Sequence, residues 1–155
     1  MLTNVGLTDQ GLNLGAEPFG ARRCNKIVAF TGAAGLGAVG TVALFTVTGA
    51  ALVTVIGICT EDLTEAGATA TISVGTAAAP TGIIAQINAV DLDVGEVWID
   101  NSPAVLEAYG TGTSFFIGDG ADIILTVGAQ NVDDGTVDFL CLWTPLTADG
   151  TVVPS

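Results

Sequence analysis

From Ile27 to Thr60 the chain carries no charged residue, and this run limits the possible folds more than any other feature. A hydropathy window would read it as one or two membrane spans preceded by the basic residues Arg22, Arg23 and Lys26. Its residue types point elsewhere. Thr31, Thr41, Thr46, Thr48, Thr54 and Thr60 are interleaved with Val, Ile, Leu and Phe, and Gly32, Gly35, Gly37, Gly40, Gly49 and Gly57 interrupt any long helix. β-Branched side chains lose rotamer freedom in a helix and pack well on a pleated surface, and each interior Gly weakens a helix by roughly 1 kcal/mol. The run therefore predicts short strands, buried on both faces and joined by glycine-rich turns, with no membrane span.

The rest of the chain reads the same way. Strands are expected over residues 26–31, 38–48, 51–60, 68–75, 81–87, 95–100, 113–118, 121–128 and 135–144. Apolar residues take every second position in Ala68-Thr69-Ala70-Thr71-Ile72-Ser73-Val74, the signature of a strand with one face in and one face out. Val137, Phe139, Cys141 and Trp143 form a similar stripe, but Leu140 and Leu142 on the opposite side are apolar too. A strand apolar on both sides is either central in its sheet or covered by a neighbouring subunit. Asp-Gly, Gly-Ala and Pro-containing breaks separate the segments, as at Asp119-Gly120 and Asp134-Gly135. Pro103 to Tyr109 offers one short helical turn at most. With aromatics at 6% and 21 glycines, the core must come from small and β-branched side chains. The expected fold is all-β: an antiparallel β-sandwich of jelly-roll type, with roughly eight or nine strands over residues 26–155.

Composition removes several functions. Sixteen acids against three bases give a net charge of −13, which a nucleic-acid groove or an anionic membrane surface would repel. There is no His, so His-based triads and most zinc sites are excluded. No enzyme activity and no cofactor are expected. Gly35-Leu36-Gly37-Ala38-Val39-Gly40 fits the dinucleotide fingerprint, and Glu61 follows about twenty residues later. That motif requires a helix to start within the glycines, whereas Thr41-Val42-Ala43-Leu44-Phe45-Thr46-Val47-Thr48 is a strand sequence, so a glycine-rich hairpin connection is expected instead. Asp91, Asp93 and Glu96 loosely follow part of a calcium loop but lack its full ligand alternation. Acid pairs for glycoside hydrolysis lack the aromatic platform that a sugar cleft uses, and Trp98 and Trp143 sit in strand-like segments as core or interface anchors.

The three cysteines are an odd number with no close pair in sequence. Cys59 and Cys141 read as small buried hydrophobes, and Cys24 lies among the basic residues, where positive charge favours a thiolate.

Residues 1–25 differ from the rest, with scattered apolar side chains and no period, and read as an extended arm. Asp9, Glu17 and the lack of a basic start make a secretory leader unexpected, and Asn25-Lys26 fits a twin-arginine signal badly. Leu12, Leu14, Phe19, Arg22, Arg23 and Lys26 are the candidate contacts of this arm with a partner.

Taken together, Ile27-Val28-Ala29-Phe30-Thr31-Gly32, the glycine-rich Gly35 to Gly40, Val42 to Gly49, Cys59-Thr60-Glu61-Asp62-Leu63, Gly67 to Gly75, Asp91 to Trp98 and Leu142 to Gly150 carry a resemblance. From Lys26 onward the chain resembles the small acidic head decoration (cement) proteins of tailed bacteriophages. The resemblance implies a virion structural protein on the outer surface of the capsid, made in the host cytoplasm and bound to the major capsid protein. It also implies a β-rich homo-oligomer, with a trimer favoured. A receptor- or glycan-binding tip of a phage fibre or spike, with calcium in the acidic loops, is the alternative.

Overall fold

In the computed structural model of this chain, residues 22–67, 69–108 and 114–155 are described. They form ten strands: β1 (Arg22–Ala29), β2 (Gly40–Thr48), β3 (Ala51–Thr64), β4 (Thr71–Thr76), β5 (Ala79–Asn88), β6 (Val97–Trp98), β7 (Phe115–Ile117), β8 (Ile123–Gly128), β9 (Asp134–Pro145) and β10 (Thr151–Pro154). Two five-stranded antiparallel sheets result. The first runs β1-β9-β3-β6, with β7 also pairing β3, and the second runs β10-β2-β8-β4-β5.

This order has a simple origin. β1 pairs with β9, β2 with β8, β3 with β6 and β7, and β4 with β5, so the chain is one long hairpin closed by the tight Thr76–Ala79 turn. Rolling that hairpin brings β9 against β3 and β8 against β4, which splits it into two facing sheets. The sandwich is therefore a jelly roll, as the strand spacing led one to expect. The expected β4 loses its start, since β4 begins at Thr71, and residue 68 lies outside the described residues. The expected strand 95–100 shrinks to Val97–Trp98. β10 was not expected; it adds to the free edge of β2, with Val152 opposite Val47.

Two expectations change in detail. The Gly35–Gly40 stretch is not a hairpin connection, because β1 and β2 belong to different sheets and the loop carries the chain from one to the other. Bridges from Ala33 to Leu36 and Gly37 fold it tightly. Gly37 sits at φ +117°, where an added Cβ would collide with the carbonyl oxygen of Val132, so this position admits only glycine. The second change is at the start. Residues 22–25, expected in the arm, belong to β1, because the free edge of β9 offers partners as far as Trp143 opposite Arg22.

The core fills the space between the sheets. Val53, Val55, Val137, Phe139 and Cys141 from the first sheet meet Val42, Phe45, Ile72, Val74, Ile123 and Leu125 from the second. Trp98 is fully buried and meets the edge of Phe139, with ring centroids 6.2 Å apart at 63°. Gly57 leaves room for it: a Cβ there would lie 3.2 Å from the Trp98 ring. Trp143 is buried at one end under the Arg22 guanidinium, which lies 5.2 Å from its ring centroid. No helix among the described residues is long and apolar enough to cross a membrane.

Candidate interaction face

The two long strands β3 and β9 alternate inward and outward as any strand must. Their outward residues are unusually apolar. In register across β1, β9 and β3 lie three rows: Arg23–Leu142–Thr54, Asn25–Leu140–Ile56 and Ile27–Asp138–Ile58. A fourth row adds Thr144, Leu52 and Phe116 of β7. The centre of this outer face is Leu140, Leu142, Ile56 and Ile58, and its polar groups include Arg23 and Asn25 on β1 and Asp138 on β9.

Segments beside β3 extend the apolar area. Val97, Ile99, Val105, Leu106 and the carboxylate-bearing Glu107 line, with Thr54 and Ile56, a recess of about 320 Å³. The Thr54 hydroxyl, its one buried polar group, is held 2.7 Å from the Ser114 hydroxyl and so does not face the recess unpaired. Phe116 is 79% exposed, Leu106 90%, Val105 77% and Ile27 60%. Single exposed apolar residues are ordinary, but a contiguous apolar area rimmed by polar groups marks a contact surface. The rim is ordered: the Asn25 amide donates to Asp138 Oδ1 at 3.1 Å.

The candidate arm contacts divide as follows. Leu12, Leu14 and Phe19 lie outside the described residues. Arg22 and Lys26 stand on the inward side of β1: Arg22 covers Trp143, and the Lys26 ammonium donates to the Ser155 carbonyl oxygen. Arg23 points outward, in the row with Leu142. The structure thus brings the three cations together on one edge strand, β1.

Carboxylates gather at one end of the sandwich, where β3 finishes and β9 begins: Glu61, Asp62, Glu65, Asp93, Glu96, Asp133 and Asp134. They serve the loops that carry them. Asp62 Oδ1 accepts from the Val94 N–H at 2.6 Å, Glu96 Oε2 from Asp93 N–H at 3.0 Å and Glu61 from the Thr136 hydroxyl at 2.9 Å. Each bond satisfies a donor that the turn geometry would leave open. Among the described residues no three acids or thiols converge as a metal site, so Asp91, Asp93 and Glu96 form no calcium cage there.

Cys59 and Cys141 are buried, and Cys59 donates to the Glu61 carbonyl at 3.2 Å. Desolvation pushes the Cys59 thiol up, with the neighbouring acids Asp62, Asp93 and Glu96 adding to the shift. Sequence spacing could not reveal that β1 and β9 set Cys24 directly opposite Cys141.

The molecule is an all-β jelly roll with one apolar outer face and one acidic end. No family model, curated protein or solved structure matches it.

Proposed function

We propose that this chain is a non-enzymatic structural protein of a tailed-phage particle, decorating and stabilising the capsid shell as a homo-oligomer, with a trimer favoured. The observation that supports this reading best is the outer face of β3 and β9, where Leu140 and Ile56 stand in register near the exposed Ile58 and Phe116. Burying such a face removes apolar area from water at about 25 cal/mol per Å². The charge layout fits the same role. Arg22 and Arg23 enter the sandwich at the end opposite the larger carboxylate cluster, with Asp119, Asp122 and Asp149 on their own end around the β2–β3 turn. The basic start of β1 is thus the site for contact with an acidic shell. The major capsid protein is the partner expected on that side.

Two measurements test the reading. Light scattering on a sizing column should give a multiple of the 15.4 kDa chain mass, three-fold for the favoured trimer. A monomer at micromolar concentration would refute the oligomer. Chain lacking residues 1–21 should keep its fold and lose binding to undecorated particles; the cut must stop there because β1 begins at Arg22. Purified virions should hold hundreds of copies, whereas tens would favour a fibre or spike tip.

A further inference from the structure

Most of the chain separates Cys24 from Cys141 in sequence, yet β1 and β9 make them register partners with side chains on the same inward side. Directly opposed residues of an antiparallel pair have Cα atoms about 4.5–5.5 Å apart. A disulfide spans Cα separations of about 4.4–6.8 Å, so the register brings this pair within disulfide reach. Both thiols are free and, as register partners, face each other. The neighbouring Cys141 thiol lowers the Cys24 pKa, while Cys24 and burial raise that of Cys141. Because β1 is an edge strand, Cys24 stays partly exposed while Cys141 is buried. All three cations of the chain lie within two residues of Cys24, in a molecule otherwise strongly acidic.

We propose that Cys24 and Cys141 form a dithiol modification site that exchanges with an anionic low-molecular-weight disulfide of the glutathione class, closing a cross-strand disulfide that pins β1 to β9. In the first step the Cys24 thiolate attacks one sulfur of oxidised glutathione. The glutathione S–S bond breaks, one glutathione leaves as thiolate with the electron pair, and a mixed disulfide remains on Cys24. In the second step the Cys141 sulfur attacks the Cys24 sulfur. Its proton passes to the departing second glutathione, and the Cys24–Cys141 bond forms. Two protein thiols are oxidised and one disulfide is reduced to two glutathione thiols. The local cations draw an anionic reagent to the one partly exposed thiol. Cys59 is buried without a facing thiol among the described residues and stays reduced.

The test uses the full chain, reduced, freed of reductant and incubated with oxidised glutathione at mildly alkaline pH. Alkylation and peptide mapping should then find Cys24 joined to Cys141 and Cys59 alkylated. The melting temperature should rise by roughly 10 °C, as expected for a cross-link closing so long a loop. Cys141→Ala should stop at a glutathione adduct on Cys24, and Cys24→Ser, at a partly exposed position on the margin of the core, should form neither product. At low salt, oxidised glutathione should react several-fold faster than the cationic disulfide cystamine. A stable Cys24 adduct in the wild-type chain, a link through Cys59, or full alkylation of Cys24 and Cys141 after oxidation would overturn the dithiol site. Equal rates with the two reagents would overturn its anionic preference.

Discussion

The two outer faces of the sandwich follow the same alternation rule and reach opposite results. On the second sheet the outward rows read Thr41–Thr126–Ser73 and Ala43–Ile124–Gly75, with Thr71 beside Gly128 and Asn88. On the first sheet the corresponding central rows read Leu140–Ile56 and Leu142–Thr54, flanked by Ile27 and Phe116. Thr and Ser keep a β-branched or compact shape for the pleat and add a hydroxyl, although Ser73 and the Thr126 hydroxyl are buried; Leu and Ile add only apolar surface. Strand formation needs only the shared property, so the faces differ in chemistry: the second carries small and hydroxyl residues and the first carries Leu and Ile.

The interior common to both faces sets the scale for breaking this comparison. Trp98→Ala should cost about 3–5 kcal/mol, because the ring is fully buried against Phe139 and Gly57 and nothing nearby can refill its volume. Urea unfolding would measure it, and a loss under about 1 kcal/mol would mean that Trp98 is not the central filler.

Next come the faces themselves. Ile56→Asp, at the centre of the apolar face, should weaken self-association about 100-fold, near 2.7 kcal/mol, by burying an unpaired carboxylate in the contact. Thr41→Asp, exposed on the second face, should change association by less than about two-fold. Sedimentation equilibrium on the pair reads the contrast directly. Equal effects would mean that the apolar face is not the contact.

The β1–β2 loop joins the two sheets, so its strain is felt by both. Gly37→Ala places a side chain at φ +117° against the Val132 carbonyl and should cost about 1–3 kcal/mol. If thermal unfolding moved by less than a degree, the crossing would be looser than its bridges indicate.

How far these features could be read beforehand varied with their physical cause. Alternation in Ile72-Ser73-Val74 and in Val137 to Trp143 marked the segments that became β4 and β9, but in β4 Ser73 is buried along with Ile72 and Val74, so both faces of that strand are covered. The double-sided apolar character of β9 was legible too; it is a central strand, between β1 and β3, and its outer side is also the candidate contact. Pairing was not legible, because register depends on partners distant in sequence. Hence the Gly35–Gly40 connection looked local although it crosses between sheets, and Cys24 looked solitary although it faces Cys141. β10 was missed since Thr151-Val152-Val153-Pro154 is too short to show a period, and only the free edge of β2 gives it a role. Phe116 lay inside an expected strand, but its outward direction follows from pairing with Leu52, which no local pattern encodes.

The smallest expected effect separates the interior from both faces. Burial raises the Cys59 thiol above its ordinary value, so the folded state holds that proton more tightly than the unfolded chain does. The stabilisation from this group is complete below the unfolded thiol pKa of about 8.5 and is lost as pH rises through the folded value. Under reducing conditions the urea midpoint should therefore fall between pH 8 and pH 10. Cys59→Ala should show a shallower fall, whatever the substitution does to stability at neutral pH. Cys141 is shifted in the same direction and Cys24 in the other, and both remain in the variant, so the difference in slope belongs to Cys59 alone. Identical slopes would trace the alkaline loss to groups other than this thiol and would mean that the acidic end admits enough water to solvate a Cys59 thiolate.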